Sequence, residues 1–378
     1  MWHKLLYGLE QAMKDTDIMM KKISLLAQFS AIGLILSSCA GLDVPQESSV
    51  SVKASVPANS FDLSHWKITL PTDENNDGKV DTLSVKEVQA YFHPDFFYLN
   101  EAGGMVFTAP NKGALTENTS NTRSELRYML SGEDKMISSH DNANNFAVRD
   151  HKNSHEFGAI GGRMDATLQV NHVAENTNHP EKKGAYSTVI GQIHAVKFKD
   201  RAKGLPYGNE PLKIFYKKWP HHETGSVFWT YERNLAKKDR NRTDIVYPVW
   251  GHTWKNTAPP GDSGVALGED FSYTVNVHEN TMHLTFESPT KDTVTYAINL
   301  ANNIDAYGKV DTLDNVNGYK VDSLYFKAGA YNQCSTVNDD KPGQVACHGT
   351  GNWHVDKANG DYAQATFSKL IVRASTAP

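Results

Sequence analysis

The sequence is poor in cysteine, in net positive charge and in long apolar runs, and each shortage narrows the possibilities. Three cysteines in 378 residues allow one disulfide at most. The formal net charge of −5 gives no general attraction for a polyanion, so nucleic acid is not an expected partner and an anion site must be a local basic patch. The histidines lack the spacing of a zinc site, so we expect no metal and no cofactor.

What is present indicates a large β-rich domain. Hydrophobic residues make up 39% of the chain, enough for a full core, and the 27 glycines and 10% aromatics favour strands and turns. From Phe61 onward short alternating runs are separated by turns. We predict one all-β domain over 59–378, a sandwich or jelly roll of antiparallel sheets with a hairpin turn at Glu279-Asn280 and a short helix within 85–92. The predicted strands are 104–108, 122–130, 162–170, 187–196, 212–216, 226–232, 271–278, 281–288, 292–299, 323–333 and 363–373.

The N-terminal region predicts export. Two lysines precede an apolar run of about 14 residues, too short for a comfortable membrane span and typical of a signal peptide. The run ends in Leu-Ser-Ser-Cys39, which resembles the bacterial lipoprotein cleavage box and implies that Cys39 becomes the lipidated first residue. We therefore predict a signal peptide over 1–38, with Met19 or Met20 as the true start, and a Ser/Pro-rich tether over 39–58.

An export signal bears on the location of the protein and on the state of its other two cysteines. The protein is expected at the outer membrane or cell surface, held only by a lipid at Cys39. The alternative is an ordinary signal peptide and a periplasmic or secreted protein. Cys334 and Cys347, 13 positions apart in an exported chain, are predicted to form a disulfide, the alternative being two unpaired thiols.

Polar residues alternate along the predicted strand 323–333. Side chains two apart share a face, so one face carries Tyr325, Lys327, Tyr331 and Gln333, with Gly329 between them. The opposite face presents an apolar row suited to the core: Phe326, Ala328 and Ala330. Two phenols, an ammonium and an amide in a line indicate a site for a polar, negatively charged ligand.

Two further strands carry polar rows. Arg123, Glu125 and Arg127 share a face, and a carboxylate between two guanidiniums can hold both in fixed positions. A solvated salt-bridge ladder is the alternative reading of that stretch. Gln192 and His194 share a face on a third strand, although a lone histidine on a strand is more often structural than catalytic.

Together these segments resemble a known family. RSELR at 123–127, QIH at 192–194 and YFKAGAYNQ at 325–333 are similar, in order, to the three signature segments of the family 7 polysaccharide lyases, the alginate lyases. FDLSHWKITLP, from Phe61, resembles the start of their catalytic domain. The resemblance implies a concanavalin-like β-jelly roll with an open concave cleft, a catalytic domain over 59–378, and alginate as the partner.

The resemblance also implies residue roles. By motif position Arg123, Gln192, His194 and Tyr331 correspond to the catalytic set. A second group of residues lines the cleft and holds or orients the substrate: Glu125, Arg127, Tyr325, Lys327 and Gln333. We expect a monomer, and we expect the basic stretch 233–242 to form a loop that either extends the cleft or is solvated surface.

The chemistry explains why these residue types are needed. Removing the C5 proton of a uronate adds negative charge beside its carboxylate, so cations or donors must meet that charge, a role for Arg123, Gln192 and His194. Tyr331 gives a proton to O4 as the glycosidic bond breaks, leaving a C4–C5 double bond. In mannuronate the C5 proton and O4 lie on one side and Tyr331 can serve as base and acid. In guluronate they lie on opposite sides and His194 is the natural base.

Several alternatives remain open at this point. Isoleucine within QIH is associated in the family with accepting guluronate-containing chains. A non-catalytic carbohydrate-binding jelly roll, a lyase for another polyuronate such as glucuronan, and a glycoside hydrolase are the rivals, although a hydrolase needs two carboxylates in the cleft. Residues 73–81 begin like a calcium loop, but Ser84 stands where the closing acidic ligand belongs, which favours a simple turn.

Overall fold

The computed structural model describes residues 55–199, 207–254, 256–338 and 344–378. Within them the chain forms two short α-helices, α1 (Val85–Val88) and α2 (Trp353–Ala358), and twenty strands. The strands are β1 (Trp66–Thr69), β2 (Thr82–Leu83), β3 (Phe97–Leu99), β4 (Met105–Pro110), β5 (Arg123–Tyr128), β6 (Phe146–Ala147), β7 (Ala159–Ile160), β8 (Gly162–His172), β9 (Ser187–Ala195), β10 (Leu212–Lys217), β11 (Thr224–Glu232), β12 (Asp244–Trp250), β13 (Val265–Ala266), β14 (Phe271–His278), β15 (Thr281–Ser288), β16 (Lys291–Asn299), β17 (Leu324–Asn332), β18 (Cys334–Ser335), β19 (Val345–Ala346) and β20 (Tyr362–Arg373).

Most strands belong to two antiparallel sheets. In what we call the site sheet the strand order is β12-β11-β10-β9-β17-β5-β1-β2, with β13, β6 and β7 attached at the side. In the back sheet it is β16-β15-β14-β8-β20-β4-β3. Some neighbouring strands are far apart in the chain, since β17 pairs with β5 on one side and β9 on the other. This order brings the three predicted polar strands side by side as β5, β17 and β9.

The two sheets pack face to face over one main core. Phe326, Ala328 and Ala330 of β17 are at most 1% exposed and belong to this core, as their alternation predicts. A direct tie joins the sheets where Tyr273 of β14 donates its hydroxyl to the carbonyl oxygen of Ile190 on β9, 3.0 Å away. The buried row fixes which face of β17 is turned away from the core, and hence where its polar side chains lie.

The predicted all-β sandwich is confirmed, with differences at the ends of elements. The strands 271–278 and 281–288 match β14 and β15, and the turn between them has positive φ at Glu279 (44°) and Asn280 (72°), as a two-residue hairpin requires. Helix α1 stops at Val88, earlier than expected. Strand β12 was missed in the sequence because Pro248 lies within it, and proline normally argues against a strand.

The predicted disulfide is also present. Cys334 and Cys347 are bonded, with their Cα atoms 5.5 Å apart, immediately after β17. Among the described residues, no helix is long and apolar enough to cross a membrane. The predicted signal peptide, Cys39 and most of the tether fall outside the described residues.

Candidate active site

A cavity of about 930 Å³ opens on the face of the site sheet that is turned away from the core. Six of the nine residues proposed from the sequence line it: Arg123, Arg127, His194, Tyr325, Lys327 and Tyr331. They come from β5, β9 and β17, which are adjacent in the sheet. Alternation places these side chains on one face of their strands, and the strand order of the sheet brings the three strands into one site.

Gly329 allows β17 to approach β5 closely between Lys327 and Tyr331. Its φ is +147°, and a Cβ there would overlap the carbonyl oxygen of Ser124 on β5. The pairing of β17 with β9 also shifts register between Ala328 and Tyr331. Glycine is needed at this position because a side chain would push the two polar strands apart.

Glu125 is the centre of the buried charge network beneath the cavity. It is 2% exposed; one carboxylate oxygen pairs with Lys327 and with Arg123 (3.2 Å), and the other accepts a hydrogen bond from the Gln192 amide. Burial favours the neutral acid, but the two cations outweigh it and hold the pKa of Glu125 below its usual value. Burial lowers the pKa of Lys327 to about 8 despite this carboxylate.

Arg127 departs from the predicted arrangement. Glu125 was expected to hold both guanidiniums of its strand, but Lys327 takes the second place. Arg127 instead donates to the carbonyl of Ser139 (2.5 Å) and to Asn145 (3.0 Å), and its guanidinium lies 3.8 Å from the ring centre of Tyr325. The prediction failed because β17, distant in sequence, supplies a cation closer to the carboxylate.

The His194 ring is fixed on three sides. Its Nδ1 lies 2.7 Å from the carbonyl oxygen of Ala195, its Nε2 lies 3.3 Å from a carboxylate oxygen of Glu210, and the ring stacks on Tyr325 with centres 5.2 Å apart. Burial lowers the pKa of His194 to about 4, although Glu210 opposes this. The imidazole is therefore neutral at pH 7 and able to accept a proton.

Tyr331 lies at the other end of the polar row. The guanidinium of Arg123 is 4.0 Å from its ring centre, and the two residues are direct partners across β17 and β5. Burial raises the pKa of Tyr331 above its ordinary value, while Arg123 partly offsets the rise. The phenol is thus protonated at neutral pH and can donate.

Comparison with known proteins identifies the family. Residues 61–374 match the family model described as alginate lyase. The chain belongs to the family 7 alginate lyases. It is 32% identical to an alginate lyase of Klebsiella pneumoniae over 345 residues, covering 89% of this chain and 96% of the relative. The predicted membership and enzyme class, a polysaccharide lyase, are confirmed.

Solved structures of the family agree with the fold of this lyase. The crystal structure of the Klebsiella pneumoniae alginate lyase superposes with a TM-score of 0.65 at 30% identity, covering 85% of this chain and 99% of the other. The exolytic family 7 lyase AlyA5 from Zobellia galactanivorans gives 0.64 at 29% identity, covering 84% and 96%. The predicted jelly roll is confirmed by these neighbours together with the two antiparallel sheets.

The other three residues proposed for the lyase site do not line the cavity. Glu125 and Gln192 lie beneath it and are 2% and 1% exposed. Gln333 follows the last residue of β17, and its amide donates to the carbonyl of Tyr331, 3.2 Å away. Their assigned roles, like those of the residues that line the cavity, stay predictions.

The sequence analysis missed several titratable residues that line the cavity of the lyase. They are Lys67, Glu117, His140, Lys197, Glu210, Lys213 and Glu232. Lys67 and Lys213 could have been found, because each alternates with buried neighbours along a strand. Glu210 lies outside the strands beside Pro211, where no periodicity marks it. Lys237 and Arg242 belong to the basic stretch 233–242, which does extend the cavity wall.

Residues 73–81, which begin like a calcium loop, form a turn held by their own hydrogen bonds. The Asp73 carboxylate accepts the backbone N–H groups of Asp77 and Gly78, each at 3.0 Å. In the part of the chain that the structure describes, no group of three or more His, Cys, Asp or Glu side chains is arranged to share a metal ion.

Proposed function

We propose that this alginate lyase prefers guluronate-containing chains and cleaves them by β-elimination, with His194 as base and Tyr331 as acid. The observation that carries this preference is the placement of His194 and Tyr331 on the wall of one cavity, from the paired strands β9 and β17. The direction of their pKa shifts agrees with these roles. Burial lowers the pKa of His194 to about 4 and raises that of Tyr331. A neutral imidazole and a protonated phenol facing one cavity are what elimination across opposite sides of the sugar requires.

The proposed reaction has one proton removed and one delivered. Nε2 of His194 takes the C5 proton, and the electrons of the C5–H bond form the C4–C5 double bond. The C4–O4 bond breaks at the same stage, and O4 takes the proton of the Tyr331 hydroxyl. The product chain carries an unsaturated uronate at its new non-reducing end.

Cleavage of mannuronate would require Tyr331 to act as base as well as acid. There the phenol must first lose its proton to act as base, and burial opposes the phenolate even though Arg123 favours it. A substrate carboxylate placed near the tyrosine would add a further negative charge and oppose ionisation again. For this reason we expect mannuronate blocks to be cleaved more slowly than guluronate blocks.

Arg123 is proposed to stabilise the charge that develops on the substrate carboxylate. Its side chain is 11% exposed, so it reaches the cavity while held from behind by Glu125 at 3.2 Å. A buried cation of fixed position needs no reorganisation when charge develops, which is the condition for transition-state stabilisation. Gln192 contributes from beneath, where its amide donates to Glu125.

The test is a comparison of purified block substrates. Incubation with polyguluronate, polymannuronate and glucuronan is followed by the ultraviolet absorbance of the unsaturated uronate. We expect the highest kcat/KM on polyguluronate. A higher value on polymannuronate would overturn the preference, and a higher value on glucuronan would move the substrate assignment to another polyuronate.

We also propose that the lyase is a monomer exported to the outer membrane or cell surface and anchored by a lipid at Cys39. The supporting observation is the apolar run followed by Leu-Ser-Ser-Cys39. Intact-mass measurement of the membrane fraction should find a lipidated N-terminal cysteine, and Cys39→Ala should release the protein from the membrane. An unlipidated mature N-terminus would contradict the anchor and leave a secreted or periplasmic enzyme.

A further inference from the structure

Glu210 is the carboxylate nearest to the His194 ring. It precedes β10 and lines the cavity, with one oxygen 3.3 Å from Nε2 of His194 and the other 3.5 Å from Nζ of Lys213. None of the three signature segments contains it. Its backbone N–H donates to Glu232 at 2.9 Å, so the residue is held through both main chain and side chain.

The hydrogen bonding of the ring determines where its proton must be. Nδ1 faces the carbonyl oxygen of Ala195 at 2.7 Å, and a carbonyl only accepts, so Nδ1 carries the hydrogen. In the neutral ring Nε2 then carries no hydrogen, and a negatively charged oxygen of Glu210 lies 3.3 Å from it. The contact becomes favourable only when a proton arrives at Nε2.

We propose that Glu210 is a positioning residue for His194, which holds its ring and stabilises the imidazolium formed when Nε2 takes the C5 proton of guluronate. This inference rests on the proposed function of His194 as base. Because the interaction strengthens as the reaction proceeds, it lowers the barrier and does not merely tighten binding. The proton stays on Nε2, where the imidazolium is paired with the Glu210 carboxylate, until it is released to solvent, and the phenolate of Tyr331 regains a proton from solvent.

The surroundings keep Glu210 ionised. Burial opposes its charge, but Lys213 and His194 hold the pKa of Glu210 below its ordinary value. The adjacent Glu232 takes the proton of the carboxyl pair, since burial and the charge of Glu210 raise the pKa of Glu232 to about 9. Arg242, 3.0 Å from Glu232, anchors the far end of the network.

Other charged groups also act on His194, and they set the sign of the pH effect. Besides Glu210, Tyr325 stacks on the ring, and Lys327 and Arg123 act on it through their charges. Lys213 and Glu125 lie one contact further away, paired with Glu210 and Lys327. Lys327 and Arg123 lower the pKa of His194, and Glu210 is the largest influence that raises it. Removing the Glu210 charge should therefore lower the pKa of His194 and weaken it as a base.

The experiment compares Glu210→Gln with Glu210→Asp in the full chain, measuring kcat and KM from about pH 2.5 to pH 9 on both block substrates, so that a limb near pH 4 and a shift below it both fall within the range. Glu210→Gln should lower kcat on polyguluronate by about 10- to 100-fold, within the contribution of acid–base catalysis. The acidic limb of kcat/KM should move to lower pH, and Glu210→Asp should recover part of the rate. On polymannuronate, where Tyr331 serves as base, the loss should be less than about 3-fold.

Matched variants separate the possible failures. Glu287→Gln, an exposed residue of β15 in the back sheet, should leave all values unchanged. If His194→Asn keeps the wild-type rate on polyguluronate, the proposed role of His194 itself is wrong. If His194→Asn is inactive there but Glu210→Gln has wild-type rates, only the role of Glu210 is wrong. Equal losses on both substrates with an unmoved acidic limb would make Glu210 a structural residue and overturn the inference.

Discussion

Two strands of this lyase carry the same short pattern of charges and use it differently. On β5, Arg123 and Glu125 are two residues apart, and on β8, Arg163 and Asp165 have the same spacing. In both places the carboxylate pairs with its own strand's arginine and with a cation from another strand, Lys327 for Glu125 and Arg373 for Asp165. The sequence pattern alone does not distinguish them.

Burial separates the two clusters. Around Asp165 the arginine side chains reach water, being 26% and 53% exposed, and the cluster lies on the outside of the back sheet. Around Glu125 the cations are 11% and 9% exposed and line the cavity above the carboxylate. A charge held out of water acts strongly on its neighbours, whereas an exposed pair is screened. The Glu125 cluster is therefore suited to take part in catalysis, whereas the Asp165 cluster is suited to an electrostatic role on the outer face of the back sheet.

The largest loss of activity is expected on substitution of Tyr331. Tyr331→Phe removes only the transferable proton, so kcat should fall by at least about 10³-fold with little change in substrate binding. Tyr362→Phe on β20 of the back sheet is the matched control and should keep the wild-type rate. Near-wild-type turnover by Tyr331→Phe would refute the assignment of the acid.

The two arginines of the comparison can be exchanged for alanine in parallel. Arg123→Ala should cost about 10²–10³ in kcat, by analogy with the loss of one oxyanion donor. Arg163→Ala should leave kcat unchanged, because its guanidinium contacts Asp165 and the outer surface. A rise in KM alone for Arg123→Ala would make it a binding residue.

The two carboxylates should differ in stability. Glu125→Ala leaves two buried cations unpaired and should lower the free energy of unfolding by about 3–5 kcal/mol. The Asp165 side chain is itself only 7% exposed, but Asp165→Ala leaves arginines that can reach water, so the expected loss is smaller, about 2 kcal/mol. Denaturant unfolding of both variants measures the difference. Equal losses would show that burial does not separate the clusters.

The smallest expected effect is in the pH profile. His194 has a pKa lowered to about 4 by burial, so its neutral, basic form predominates above that pH. The acidic limb of kcat/KM on polyguluronate should therefore fall near pH 4, and activity should persist between pH 5 and 6. A limb near pH 6.5, the ordinary value for histidine, would indicate that the imidazole is not desolvated in the free enzyme.

The alternation of residues predicted much of the site. Tyr325, Lys327 and Tyr331 line the cavity while Phe326, Ala328 and Ala330 are buried, because side chains on a strand alternate whatever the fold. The same rule does not apply to Gln333, because this residue lies beyond the end of β17. Where the strand stops, the alternation no longer fixes the direction of a side chain.

Contacts between distant segments could not be predicted in this way. Lys327 displaced Arg127 as the second partner of Glu125 because β17 pairs with β5 across some two hundred residues of chain. Glu210 comes to His194 from a segment with no periodic pattern. Such partners depend on which strands are neighbours, and the register of a sheet is not visible in the composition of one strand.

The sequence by itself determined the all-β class, the three polar rows, the disulfide pair and the family, because these depend on local alternation and on short motifs. Only the tertiary structure decided which polar residues share a carboxylate, which are buried beneath the cavity and which group faces the base. The Arg-x-Glu of β5 and the Arg-x-Asp of β8 are nearly the same in sequence. We expect them to differ in chemistry because the fold keeps water from the cations around Glu125, whereas the arginines around Asp165 reach it.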